Sequence, residues 1–135
     1  MLQFYFLSIV LNVLAGYSIF TADNEGVLEL KGRFSLKDET SRFVLGILSV
    51  LTGLFKLLSP IEGDVPVLGD LLPAAAGFLC GFILIYEYYK NRSSVDDSEE
   101  TEQIDMVLLR NKKIIGVGSI IVAVLHFLFP KVLLL

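Results

Sequence analysis

The chain reads as an all-α membrane protein with four transmembrane helices, arranged as two tandem helical hairpins that repeat in parallel. Three observations lead there. Of its 135 residues, 54% are apolar, and the mean hydropathy of +0.70 exceeds that of ordinary soluble domains. The apolar residues gather in four stretches, near 2–20, 43–61, 71–86 and 114–135, each close to the roughly 20 residues that cross a bilayer core. Finally, the second and fourth stretches are copies of one segment. RFVLGILSVLTGLFKLLSP and KKIIGVGSIIVAVLHFLFP superpose without a gap at an offset of 70, matching Gly46 with Gly116, Ser49 with Ser119, Leu58 with Leu128 and Pro60 with Pro130. Aliphatic matches occur between any two membrane helices by composition, so the Gly, Ser and Pro matches carry the repeat.

The first span, from Leu2 to Phe20, has no basic residue before it, so a retained helix is expected in place of a cleaved signal peptide. The connection 21–42 carries Lys31, Arg33, Lys37 and Arg42, and its VLEL-KG-RFSL pattern predicts a small hairpin around Lys31 and Gly32. The second span follows, and then the connection 59–70, which has no Lys or Arg. The third span becomes long enough when Tyr88 and Tyr89 lie in the headgroup layer. The connection 88–112 is rich in Ser and acid and also holds Lys90, Arg92, Arg110 and Lys112. Its acidic part is expected to be a solvated spacer. A helix beginning between Ile104 and Lys113 is expected to run into the fourth span.

Positive residues favour the cytoplasmic side. The expected location is therefore the plasma (inner) membrane, with both long loops cytoplasmic and both termini and the 59–70 connection outside. The first and third spans match more weakly at an offset of 65, pairing Asn12 with Gly77 and Gly16 with Gly81. The repeating unit is then a hairpin with one connecting loop. Residues 1–64 form the first and 65–135 the second, related by a pseudo-two-fold along the membrane normal.

Small residues let membrane helices approach closely. Gly46, Ser49 and Gly53 share one face of the second span, and Gly116, Ser119 and Ala123 share the matching face of the fourth. Gly77 and Gly81 form a GxxxG in the third. These positions are the expected helix-packing seam. Three residues further along each seam stand Lys56 and His126, at equivalent places in the repeat.

An ionisable side chain inside a span is a functional candidate. Lys56, however, is only about 6 Å below Pro60 at about 1.5 Å per residue. The expectation is that its stem carries the ammonium to the outer surface, or that it makes a structural hydrogen bond. The alternative is an ion- or proton-linked site with His126, whose side chain ordinarily titrates near neutrality. Glu62, Asp64 and Asp70, in the outer connection, are candidate ion-pair partners for Lys56. Cation binding by these three is the lesser expectation, because the spacing of a calcium-binding loop is absent.

The sequence has no HExxH, CxxC, Walker loop or GxSxG, and no enzyme activity, metal or cofactor is expected. Its single cysteine, Cys80, cannot form an intramolecular disulfide. Basic residues do not alternate with aromatics as in nucleic-acid binders. The expected contacts are the lipid bilayer and either a membrane protein partner or further copies of the chain. Two functions fit: an accessory or scaffold subunit of a larger membrane complex, or a small oligomeric ion- or proton-linked transporter or channel. The small interior of so short a bundle favours the first.

Overall fold

A computed structural model describes residues 2–21, 38–58, 71–92 and 99–129. They form helices α1 (Leu2–Phe20), α2 (Glu39–Leu58), α3 (Leu71–Arg92), α4 (Glu99–Ile104) and α5 (Lys112–Leu128), with a π-helical turn at Asp105–Leu109 after α4. No strand occurs among the described residues. The hairpin expected around Lys31 lies outside them. α1, α2 and α3 are long and apolar enough to cross a membrane by length and composition. α5 has 17 described residues, at the lower end of the roughly 17–25 that span a bilayer.

Each long helix turns a polar or small face inward and an apolar face outward. Ser8, Asn12, Ser18, Ser49, Thr52 and Ser119 are buried, whereas Phe6, Leu48, Phe55, Phe82, Ile121 and Phe127 are exposed. This inverts the arrangement of a water-soluble bundle. It suits lipid, where apolar side chains gain nothing by leaving the surface and association depends on close packing and interhelical hydrogen bonds.

The helices pack antiparallel in two tight pairs, α1 on α5 and α2 on α3. Glycines set both contacts. A β-carbon at Gly16 would lie 2.5 Å from the carbonyl oxygen of Gly116, and one at Gly116 would lie 2.7 Å from that of Gly16. In the other pair, a β-carbon at Gly46 would meet the Gly81 carbonyl oxygen at 2.9 Å, and one at Gly81 the Gly46 oxygen at 2.6 Å. Both contacts are reciprocal, and in the sequence alignment Gly16 matches Gly81 and Gly46 matches Gly116, so the residues of one contact align with those of the other. Both contacts run between residues 1–64 and residues 65–135.

The connection expected as a spacer is partly ordered. α3 continues to Arg92, and α4 with its π turn precedes α5. The helix does not run continuously into α5 as the sequence suggests. Arg110 and Asn111 turn the chain, with Asn111 at φ −98° and ψ 4°. Asp105 anchors this segment to α3, accepting hydrogen bonds from the Tyr86 hydroxyl (2.7 Å) and the Lys90 ammonium. The two donors hold the Asp105 carboxyl below its ordinary range, Lys90 contributing most.

Candidate functional site

The seam residues all face the interior. Gly46, Ser49, Gly53, Gly77, Gly81, Gly116, Ser119 and Ala123 are buried. Gly53 sits against the Ala74 carbonyl, and Gly77 against the Ser49 carbonyl and the Asn12 side chain. The Ser119 hydroxyl donates to the Asn12 carbonyl at 3.1 Å, and the Asn12 amide donates to the Pro73 carbonyl at 2.9 Å. Ser49 Oγ is buried with no hydrogen-bond partner among the described residues. Cys80 is fully buried in the same central layer.

At one end of this seam the structure brings Lys56 and His126 together. Lys56 Nζ is 3.2 Å from His126 Nε2, joining residues that are 70 apart in the chain and matched in the sequence alignment at that offset. Lys56 is 3% exposed and His126 is 0% exposed. Of the two expectations for Lys56, an outward-reaching stem or a structural hydrogen bond, the structure has a buried side chain with a nitrogen partner on α5.

Tyr5 on α1 completes the cluster. Its ring centroid is 5.1 Å from Lys56 Nζ and 4.7 Å from that of the imidazole, and a ring face at this distance stabilises an ammonium. The Tyr5 hydroxyl donates to the His126 carbonyl at 2.8 Å and lies 3.2 Å from the Phe127 carbonyl. Proline stands four residues after His126 and has no N–H to offer that carbonyl. Tyr5 thus supplies the donor that the last turn of α5 lacks.

Chemically, the pair forms one N–H···N hydrogen bond. One proton between the two nitrogens satisfies both, whereas two positive charges 3.2 Å apart repel by about 5 kcal/mol at an effective dielectric near 20. The arrangement can hold or pass a proton. Among the described residues, no group of three or more His, Cys, Asp and Glu is placed to hold a metal. Glu62, Asp64 and Asp70 lie outside the described residues.

At the opposite end, Glu87 on α3 bridges two cations. Arg42 Nη2 is 2.6 Å from one carboxylate oxygen and Lys112 Nζ 3.0 Å from the other. Arg42 also donates to the Ser18 hydroxyl at 3.2 Å. Arg42 and Lys112 are also matched in the sequence alignment at the offset of 70. Reading the sequence missed this triad, as well as the roles of Tyr5 and Asn12. The signals present were the lone carboxylate Glu87 between Tyr86 and Tyr88, and the alignment of Arg42 with Lys112 at the same offset as Lys56 with His126.

A protein-family model matches residues 1–126. The chain is similar to an uncharacterized protein of Treponema pallidum (strain Nichols), with 32% identity over 135 residues that cover all of both chains. No solved structure matches.

Proposed function

The chain belongs to the family of unknown function whose model spans its residues 1–126, and for it we propose the role of a small integral membrane accessory or scaffold subunit. In this reading α5 is the fourth span, both long loops lie in the cytoplasm, and the two hairpins are related by a two-fold axis along the membrane normal. The reciprocal Gly16–Gly116 and Gly46–Gly81 contacts support that axis, because each is the other's image under it. So does the meeting of Lys56 with His126, which are self-equivalent positions and lie next to each other only on the axis itself.

The observation that carries the accessory role is the packing of the interior. Glycines against carbonyl oxygens bring α1 close to α5 and α2 close to α3, while among the described residues each long helix carries large apolar side chains on its exposed face. A bundle of this kind offers its apolar faces to a partner in the membrane. The test is purification from native membranes in mild detergent, followed by native mass spectrometry. A stoichiometric second protein is expected. Recovery of the chain alone, or only with copies of itself, contradicts the role.

One observation favours the second reading, a small oligomeric ion- or proton-linked transporter or channel: the buried Lys56–His126 contact. Ionisable groups inside membrane helices carry an insertion cost and are retained for paths and relays. Solute flux in vesicles containing only this chain, abolished by Lys56→Leu or His126→Leu, would establish that reading over the first.

A further inference from the structure

We propose that α4 and its π turn form an interfacial anchor, with Ile104, Met106 and Val107 seated in the cytoplasmic headgroup layer of the bilayer that holds the bundle. The inference rests on the reading of α5 as the fourth span with the long loops in the cytoplasm.

The segment has two faces. One turns to the bundle: Asp105 accepts hydrogen bonds from Tyr86 and Lys90 of α3, and Leu108 packs against the buried cluster that contains Cys80 and Ile83. The other face turns outward and is apolar. Ile104 is exposed on it, Met106 is 56% exposed and Val107 63%. α4 itself packs chiefly on the π turn that follows it. Large apolar side chains side by side on a surface are unfavourable in water, whereas an apolar stripe beside polar residues is what a helix lying in the membrane interface presents to the acyl boundary.

Depth identifies the occupant as lipid. α3 has 22 residues, about 33 Å of helix at 1.5 Å per residue, close to the roughly 30 Å of a bilayer core. Tyr86, Glu87 and Lys90 stand near its C-terminal end and so at the level of the headgroups. Two separate points of the segment reach that level. Asp105 bonds Tyr86 and Lys90, and Lys112 Nζ is 3.0 Å from Glu87. A straight helix would carry Asp105 about 10 Å beyond Lys112 along its axis. The chain turns at Arg110 and Asn111 instead, and both points return to one stretch of α3. The segment therefore lies across the end of the bundle.

Its outward face is continuous with that of α5, where Ile114, Val117 and Ile121 are exposed. Charge is graded along the segment in the same sense. Glu100 and Glu102 are exposed at its start, and Arg110 and Lys113 are exposed at its end, where α5 enters the bundle. This leaves the carboxylates in water and brings the cations to the lipid phosphates.

The chain has no tryptophan, so single-tryptophan variants report depth without background. Met106→Trp, Val107→Trp, Glu100→Trp and Ile121→Trp of the full chain are reconstituted alone in phosphatidylcholine vesicles whose acyl chains carry bromines either near the headgroups or near the bilayer centre. Tryptophan at 106 and at 107 is expected to be quenched most by the shallow bromines, at a depth of about 5–10 Å into the headgroup and acyl boundary, and to resist aqueous acrylamide. Tryptophan at 100 should be open to acrylamide, and tryptophan at 121 should be quenched most by the deep bromines. The proposal is overturned if positions 106 and 107 are as open to acrylamide as position 100, or if they are quenched most by the deep bromines. Protection from acrylamide without quenching by either lipid also overturns it, in favour of a second copy of the chain over this face. Shallow quenching at 106 and 107 with none at 121 supports the anchor and contradicts α5 as a span.

Discussion

A methyl group on Gly16 would lie 2.5 Å from the Gly116 carbonyl oxygen and 3.0 Å from an Ile120 side-chain carbon. The first neighbour is backbone and cannot rotate away, so α1 and α5 must separate to admit it. Gly16→Ala should cost about 1–3 kcal/mol, as overpacking does. Gly118 is only two residues from Gly116 but has nothing within 4 Å of an added β-carbon. Gly118→Ala should be neutral, or stabilising by up to about 1 kcal/mol through helix propensity. Thermal unfolding of both variants in one detergent checks this contrast. At this scale the sequence was informative for the seam itself. Gly46, Ser49, Gly53, Gly77, Gly81, Gly116, Ser119 and Ala123 all face inward, because small residues at three- and four-residue spacing mark a helix face directly. The direction of Lys56 was not legible. Its depth from Pro60 allows it to reach outward, and only the tertiary arrangement puts an imidazole beside it.

At the scale of elements, polar joints fasten the helix ends and should respond to charge. Glu87→Gln leaves Arg42 and Lys112 facing each other without their shared carboxylate. With side-chain exposures of 16%, 12% and 16% for Arg42, Glu87 and Lys112, the loss should be about 1–3 kcal/mol, between that of an exposed and that of a buried ion pair. A comparison of thermal midpoints with the wild-type chain measures it.

The joint between Asp105, Tyr86 and Lys90 should depend on pH. The Asp105 carboxyl is held below its ordinary range, chiefly by Lys90. The anchoring is therefore fully present above the ordinary carboxylate range and is lost as pH falls through the lowered value. Amide-exchange protection of residues 105–109, converted to opening equilibria, should decline across that acid window. In Asp105→Asn it should be low throughout and flat with pH. The sequence suggested neither joint, because each depends on side chains from different helices. The acidic segment 96–105 reads as solvated by composition alone, and a single carboxylate inside it that finds partners leaves no trace in the composition.

For the molecule as a whole, the class of fold was the most legible property. Apolar stretches of nearly helix-spanning length and a polar inward stripe on each lead to a helical bundle, and the structure has one. Which helices pair most closely was less legible. Adjacency in sequence suggests α1 with α2, but the reciprocal glycines bring α1 to α5 and α2 to α3. The repeat contained that information in Gly16, Gly46, Gly81 and Gly116, although spacing alone does not say which glycine faces which.

The proposed pair of hairpins requires an even number of crossings, and α5 is the helix that decides it. Α single-cysteine accessibility map in a Cys80→Ser background, read with a membrane-impermeant maleimide on intact cells, tests this most directly. Gly63→Cys and Leu135→Cys should both label from outside, and Ser98→Cys only after permeabilisation. Labelling of the Gly63 and Leu135 variants on opposite sides of the membrane would leave α5 short of a crossing and contradict the account.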